Sequence, residues 1–243
     1  TIVACLAGFC TSMVLSRLLW NKGNKERNEK NEHADILGVI KRRRSIFPKQ
    51  YSSKAVPRSI LEEMLEASRW APTHKLTEPW EYIVFDSADA RNKLGRFLAD
   101  RYKSSCLASG KEFSQPKYDK KISNASKSSY VLAIICDTNM QKNPVVEEIC
   151  SVAMSVQNML LVAAVHGVGA YWSSGSVHEK SENSVMANPA ALREFLEFDK
   201  DDDKKLCLGW IFVGDYFGDT ETTVRKKWPE GRRRDIAQRL TWK

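Results

Sequence analysis

The first group of residues suited to ligand chemistry is a basic cluster, Arg42-Arg43-Arg44-Ser45. A guanidinium group binds a phosphate through two parallel hydrogen bonds, and a serine hydroxyl adds a further donor. This set of side chains therefore suits a phosphate-bearing ligand. A solvated basic helix end gives the same sequence, because cations are favourable at a helix C-terminus. Nucleic-acid binding has weaker support, since only a second run, GRRR at residues 231–234, adds to it.

A second group is the segment APTHKLTEPW at residues 71–80. It carries a histidine, a lysine and a glutamate between two prolines, which is more particular than a helix-to-strand connection requires. Pro72 ends the preceding helix, and Pro79 favours an extended conformation at Glu78. The segment is therefore a candidate binding loop.

A third group is GVGAYWSSG at residues 167–175, a strand between glycines that ends in Trp172-Ser173-Ser174-Gly175. Backbone amides and small hydroxyls at such a strand end can contact a ligand, although a simple strand exit has the same composition. The four histidines show no metal-ligand spacing, and the sequence has no phosphate-binding Walker loop and no G-x-S-x-G nucleophile turn. We therefore expect no metal site. If the chain is an enzyme, a bound cofactor carries the chemistry.

The elements that must position these groups alternate between helix and strand. Short helices are predicted after Asp35 and from Pro57, and others over 88–98, 145–166 and 188–198, with Asn188 as the cap of the last. Apolar runs predict strands at 80–85, 128–137, 167–175 and 206–215. The lysine- and serine-rich stretch 100–128 has weak periodicity and predicts a mobile excursion. The class is α+β or α/β, in one domain.

The N-terminal part of the chain differs from the rest. Residues 1–20 are almost wholly apolar and about as long as a bilayer-spanning helix, with Arg17 and Trp20 near the end. Residues 21–34 form a polar linker, and residues 35–243 form the folded domain. We expect the first segment to anchor the protein in a membrane, with the folded domain on the cytosolic side because basic residues follow the span. A cleaved signal or an organelle leader is the alternative.

The overall composition is that of a globular domain with a core, since 42% of its 243 residues are hydrophobic. The net charge of +8 favours an anionic ligand or an acidic surface without choosing between them. Six cysteines are scattered without a C-x-x-C pair, and three of them lie in apolar runs. We expect reduced thiols.

Four fragments occur together and in order: Arg43-Arg44-Ser45, APTHKLTEPW, GVGAYWSSG, and LCLGWIFVGD at residues 206–215. In this combination the chain resembles the FMN-dependent nitroreductase family over about residues 36–227, and most of all its short bacterial members. The resemblance implies an α+β sandwich, with a mostly antiparallel sheet flanked by helices, in an intertwined homodimer. It also implies FMN at the dimer interface, NADH or NADPH as reductant, and ping-pong reduction of a small acceptor such as a nitroaromatic or a quinone.

The resemblance also assigns individual residues to the flavin. The phosphate and ribityl chain would be bound by Arg43, Arg44 and Ser45, with Arg225 or Lys226 closing on the phosphate. The partner subunit would contribute Thr73, His74 and Glu78. The isoalloxazine would lie against Tyr171, Trp172 and Ser173. The chain departs from the family pattern at Leu76 and Glu78, where asparagine and glutamine are common.

Two alternatives remain open on the sequence. Iodotyrosine deiodinases resemble this chain in an N-terminal anchor, a linker and the TEPW ending of the loop at residues 77–80, which implies reductive dehalogenation. Turnover of a halotyrosine rather than a nitroaromatic would distinguish that activity. The other alternative is a non-catalytic flavin-binding protein or a basic nucleic-acid binder, whose affinity for nucleic acid would fall steeply with salt.

Overall fold

The computed structural model of the chain describes residues 36–138, 143–175, 188–198, 204–216 and 235–243. One four-stranded antiparallel sheet, in the order β1-β2-β4-β3, organises these residues. The strands are β1 (Trp80–Phe85), β2 (Tyr130–Asp137), β3 (Gly169–Ser173) and β4 (Lys205–Gly214). The predicted α+β class with a mostly antiparallel sheet is thereby confirmed. The predicted strands lie within two residues of these bounds, because continuous apolar runs specify buried central strands.

Among the described residues, six α-helices surround the sheet. They are α1 (Ile36–Arg42), α2 (Arg58–Ser68), α3 (Ala88–Ser109), α4 (Gln115–Lys127), α5 (Val145–Val165) and α6 (Ala190–Phe195). Helices α2 and α5 pack on one face, and α3, α4 and α6 pack on the other. The result is the predicted sandwich of one sheet between helical layers.

The alternation of side chains along β2 and β4 divides the core into two clusters. In β2, Leu132 and Ile134 face α2 and α5, whereas Val131 and Ala133 face α3 and α4. In β4 an irregularity at Leu208 and Gly209 shifts the pairing between β2 and β4, as a β-bulge does. The bulge places Trp210 in the second cluster, on the side of α3 and α4.

The mobile excursion predicted over residues 100–128 is wrong, because this stretch is the second half of α3 followed by α4. Gly95 of α3 lies so close to Ile122 that a Cβ at this glycine would be 3.0 Å from the Cα of Ile122. Fully buried Ala125 lines the same contact, and Ala99, one turn further along α3, is fully buried as well. Small residues that let two backbones approach stabilise this pair, and such a contact leaves little hydrophobic periodicity. The end of α3 was nevertheless marked by Gly110, which has the left-handed conformation typical of a helix C-terminus.

The predicted capping role of Asn188 is also wrong. Pro189 is the residue that precedes α6, and the Asn188 side chain binds the backbone of Cys207 in β4 instead. Its Nδ2 donates to the Cys207 carbonyl at 3.1 Å, and its Oδ1 accepts from the Cys207 amide at 2.5 Å. This pair of bonds ties the start of α6 to the sheet.

One helix of the described residues, α5, has the length and hydropathy of a bilayer-spanning helix. It packs against α2 and the sheet, and it carries a buried glutamate, Glu148. These contacts are those of a core helix. The predicted membrane segment, residues 1–20, and the linker 21–34 lie outside the described residues.

Candidate functional site

A cleft of about 340 Å³ opens at the edge of the sheet, between the segment after α1, strand β3 and the middle of α5. Its lining combines a guanidinium, two hydroxyls, an amide and an indole with one aliphatic side chain. These groups belong to Arg43, Ser45, Gln157, Leu160, Trp172 and Ser174. The volume lies within the range of small-molecule sites. The predicted basic cluster and the predicted strand end therefore meet in one place.

Backbone bonds hold the basic cluster against β3. The amide of Ile46, directly after Ser45, donates to the Ala170 carbonyl at 3.1 Å. Trp172 is fixed as well, because its indole Nε1 donates to the Leu208 carbonyl at 3.2 Å. The cleft therefore lies on a hydrogen-bonded strand, and hydrogen bonds fix both the segment after Ser45 and the Trp172 indole.

The alternation of β3 divides the three residues that the resemblance assigns to the isoalloxazine. Trp172 faces the cleft with Arg43 and Ser45, but Tyr171 and Ser173 face a second cavity on the other side of the sheet. Arg44 is half-buried and does not line the cleft. Arg225 and Lys226 lie outside the described residues. The structure therefore brings together Arg43, Ser45 and Trp172 of the predicted set.

The loop 71–80 is anchored to the first turn of α5 by a buried carboxylate. Glu148 is 1% exposed, and its Oε2 accepts a bond of 2.7 Å from the Thr77 hydroxyl. The Thr73 and Thr77 hydroxyls are 2.9 Å apart, and the Glu78 amide donates to Thr73 Oγ1 at 3.2 Å. A relay of hydrogen bonds therefore runs from the Glu78 amide through two threonines to Glu148.

Asn143 completes this anchor from the other side. Its Nδ2 lies 3.0 Å from Glu148 Oε1 and 3.0 Å from the carbonyl oxygen of His74. Both carboxylate oxygens of Glu148 are thereby satisfied by residues of the loop or next to α5. This arrangement keeps a buried charged group hydrogen-bonded.

The predicted extended conformation at Glu78 is wrong, because its φ is +46°. Lys75 and Leu76 also have positive φ, at +54° and +52°. Such conformations are unfavourable for residues with a Cβ and persist only where surrounding contacts impose them. The threonine relay provides those contacts and overrides the local effect of Pro79.

His74 and Thr73 lie together in a second depression of about 320 Å³ on α5. His74 Nδ1 is 2.6 Å from Glu147 Oε2, and both side chains are partly exposed. The depression is also lined by Cys150 and Met154. It is separate from the Arg43 cleft within one chain, and the side chain of Glu78 lines neither.

Two thiols of the core, those of Cys136 and Cys207, are not candidates for nucleophiles. Burial raises the pKa of Cys136 to about 12, with the Glu148 carboxylate adding to the effect, and burial also raises the pKa of Cys207 to about 12. Both therefore stay protonated near neutral pH. Among the described residues no group of three or more histidine, cysteine, aspartate or glutamate side chains could hold a metal ion.

The sequence analysis did not single out Glu148, Gln157 and Asn143. Glu148 and Gln157 lie in a helix that is mostly apolar, and Asn143 lies in the turn before it. Ser174 belongs to the strand end that the sequence did indicate. A signal was present for Glu148, because an isolated carboxylate in a helix that is otherwise apolar needs a buried partner.

Comparison with known proteins identifies the family of this chain. A profile described as the nitroreductase family matches residues 40–215. A curated Bacillus subtilis protein, YfhC, whose name assigns it provisionally to the NAD(P)H nitroreductases, is 24% identical over 60% of this chain and 73% of its own length. Among solved structures, a nitroreductase-like family protein of Bacillus cereus has a TM-score of 0.63 at 22% identity, over 87% of this chain and 97% of that one. The FMN-dependent nitroreductase NfnB of Mycobacterium smegmatis, solved with NADPH, has a TM-score of 0.61 at 14% identity, over 86% and 100%. With the family profile spanning most of its length and the fold in agreement, this chain belongs to the nitroreductase family.

Proposed function

We propose that this chain is an FMN-dependent oxidoreductase that draws electrons from NADH or NADPH and reduces a small acceptor such as a nitroaromatic or a quinone. The observation that carries the proposal is the meeting of Arg43, Ser45 and Trp172 in one cleft. The names of the relatives support it, since NfnB is described as FMN-dependent and was solved with NADPH. The cofactor, the reductant and the acceptor class are proposed together because the reductant and the acceptor class both depend on the cofactor.

The donors of the cleft fit the parts of FMN. Arg43 supplies the bidentate guanidinium that suits a phosphate. The hydroxyls of Ser45 and Ser174 suit the ribityl chain or the phosphate, and the Trp172 ring gives a flat apolar surface of the kind on which an isoalloxazine packs. Fixed on a paired strand, these groups orient a ligand at small entropic cost.

FMN held by Arg43, Ser45 and Trp172 would supply the hydride-transfer chemistry between NAD(P)H and the acceptor. The residues of this chain bind and orient the cofactor and the substrates. No side chain of the described site has to act as a nucleophile. This division of labour agrees with the raised pKa of the Cys136 and Cys207 thiols.

A homodimer would complete the site. Helix α5 exposes a stripe of mostly apolar residues at helical spacing, which includes Val146 at 64% and Met154 at 39% exposure. Apolar stripes of this kind are typical of a surface that another chain covers. Cys150, Gln157 and Val165 continue the stripe along the helix.

The two depressions lie at different positions along α5. The His74 depression involves Val146 to Met154, and the Arg43 cleft involves Gln157 and Leu160. A two-fold axis between antiparallel copies of α5 would bring the first depression of one protomer towards the second of its partner. The loop 71–80 of each chain would then contribute to the flavin site of the other.

The proposal is tested by the visible spectrum of the purified protein, alone or reconstituted with FMN. We expect a yellow protein whose flavin absorption bleaches when NADH or NADPH is added without oxygen. A protein that stays colourless after incubation with FMN would contradict the proposal.

The role of Arg43 is tested by Arg43→Ala with Arg42→Ala as the matched control. Arg42 ends α1 directly beside Arg43 but does not line the cleft. We expect Arg43→Ala to weaken FMN binding about 10- to 100-fold, the effect of losing a charge-assisted contact of about 1.5–3 kcal/mol. Binding of riboflavin, which lacks the phosphate, should change far less. If the two substitutions changed FMN affinity equally, the proposed role of Arg43 in binding the FMN phosphate would be refuted.

A further inference from the structure

The turn between α3 and α4 forms a hairpin tip in the helical layer on the opposite side of the sheet from α5. We define the tip as residues 103–117, from the last turns of α3 to the first residues of α4. The side chains of Lys103, Leu107, Lys111 and Phe113 are exposed, and they line neither the Arg43 cleft nor the other cavities. These four side chains are therefore separate from the proposed flavin site and from the exposed stripe of α5.

Internal contacts hold the tip in one conformation. Gly110 ends α3 in the left-handed conformation and turns the chain towards α4. The Ser114 amide donates to the Tyr102 hydroxyl at 3.1 Å. The Phe113 ring packs against two tyrosines, with centroid distances of 5.9 Å to Tyr102 and 6.0 Å to Tyr118. A preorganised surface of this kind loses little conformational entropy when it binds a partner.

The two helices and the tip are strongly basic. Residues 88–127 contain ten lysines and arginines and four aspartates and glutamates, a net charge of +6, compared with +8 for the whole chain. Within the tip, Lys103, Lys111 and Lys117 are accompanied by one carboxylate, Glu112. Among the described residues, none of these three lysines forms an ion pair. The tip therefore presents positive charge that attracts an anionic surface.

Two apolar side chains lie beside these lysines. Leu107 is 76% exposed and Phe113 is 37% exposed. Leu107 follows Lys103 by one helical turn and so lies on the same side of α3. Lys111 and Phe113 belong to the turn that follows. Exposed apolar side chains surrounded by lysines are typical of surfaces that bind the headgroup region of an acidic membrane.

We propose that the tip docks on an anionic membrane surface, with Leu107 and Phe113 at the depth of the headgroups and Lys103 and Lys111 against the lipid anions. Nucleic acid is a weaker match, because it has no apolar region for an exposed leucine and because residues 103–117 contain no arginine, the residue that binds phosphates bidentately. A second copy of the chain carries the same charge and would be repelled. The proposal goes beyond the proposed function and does not depend on flavin binding.

The test is hydrogen–deuterium exchange of the full chain with nanodiscs, followed by mass spectrometry of peptides from the tip. Discs of phosphatidylcholine alone are compared with discs that also contain phosphatidylserine. We expect amide exchange in the tip to be slower by about 5-fold or more with the acidic lipid, and to recover at high salt, which screens surface charge. The readout is local to the tip, so membrane binding through residues 1–20 does not by itself change it. Equal exchange with both kinds of disc would overturn the proposal.

Two double variants with the same change in net charge locate the contact. Lys103→Gln/Lys111→Gln should weaken docking about 30-fold and abolish the protection of the tip. Lys54→Gln/Lys127→Gln should keep the protection, because Lys127 ends α4, about 18 Å along the helix from its start. Lys54 lies near the same end, since its carbonyl accepts a bond of 3.2 Å from Ser129 Oγ. Equal protection in the two double variants would refute the assignment.

The apolar contact is tested by two substitutions of Leu107, whose exposed side chain makes both of them compatible with folding. Leu107→Ser removes the apolar group and should weaken docking about 5- to 10-fold. Leu107→Phe keeps an apolar side chain and should retain the protection of the tip. Equal exchange in these two variants would show that Leu107 does not enter the membrane surface and would overturn the proposal.

A nucleic-acid probe and the flavin content complete the experiment. Slower exchange of the tip with a single-stranded oligonucleotide, and not with acidic discs, would assign the surface to nucleic acid and overturn the proposal. We expect all four variants to keep full FMN content, because none of the changed residues lines the cleft. Failure of the native chain to bind FMN would refute the proposed function while leaving the exchange measurement interpretable.

Discussion

Removing the Thr77 hydroxyl is the sharpest test of the link between the loop 71–80 and α5. The side chain is buried, and its hydroxyl joins Thr73 on one side to Glu148 on the other. The substitution Thr77→Val keeps the volume but breaks both bonds. It also leaves Glu148 with one acceptor oxygen unsatisfied in a buried place.

The magnitude follows from the two bonds. A hydrogen bond to a charged group contributes about 1.5–3 kcal/mol and one between neutral groups about 1 kcal/mol. Allowing for relaxation, we expect the free energy of unfolding to fall by about 2–3 kcal/mol. For a domain of roughly 200 residues this corresponds to a fall in Tm of about 4–12 °C.

The measurement is urea unfolding, followed by circular dichroism at one fixed protein concentration because a dimer would link stability to concentration. Thr77→Ser is the matched control, since it keeps the hydroxyl and removes only a methyl group. We expect the serine variant to unfold at a higher urea concentration than the valine variant. If valine is as stable as serine, or within about 0.5 kcal/mol of the native chain, the relay does not hold the loop, because surface substitutions have effects of that size.

Two further substitutions test the geometry around the site. Gly209→Ala should lower the free energy of unfolding by several kcal/mol and weaken FMN binding, because φ is +131° and the new Cβ would collide with the Ser173 carbonyl of β3. The control Gly110→Ala, at an open position, should lower it by about 1 kcal/mol. Equal losses of stability in thermal unfolding would contradict this account. Met154→Lys places a charge in the exposed stripe of α5 and should shift the protein from dimer to monomer in analytical ultracentrifugation, whereas Lys127→Glu on α4 should not; an unchanged dimer would move the interface elsewhere.

The sheet and the long helix could be predicted because burial on both faces produces continuous apolar runs. The runs that became β2, β4 and α5 are of this kind, and their bounds were predicted within a few residues. Helix α4 could not be predicted in this way, because its contact with α3 depends on small residues such as Gly95 and Ala125. A helix contact made by glycine and alanine contains no large apolar side chains, so the sequence shows no apolar stripe at this place.

The candidate site was predicted in its components and not in its arrangement. The basic cluster and the strand end were both identified from the sequence, and Arg43 and Trp172 do meet in the structure. The direction of each side chain depends on the exact phase of β3, which sequence spacing does not fix at a strand end. This is why Tyr171 and Ser173 were grouped with Trp172 although they face the other cavity. The conformation of Glu78 was missed for a different reason, since its threonine partners act through tertiary contacts.

The phase of β3 is set by Tyr51, which is buried against the ends of two strands. Its hydroxyl lies 2.8 Å from the Phe212 carbonyl and 3.1 Å from that of Ile46, and its ring covers Gly169 and Gly214 at positions where a Cβ would collide with it. Successive residues of β3 face opposite sides of the sheet. An insertion or deletion of one residue in β3, after Gly169, would therefore exchange the linings of the cleft and the cavity. A single substitution in β3 should therefore impair one face, whereas a one-residue length change should abolish both. Related chains that keep both faces should accordingly tolerate changes of residue type in this strand far better than changes of its length.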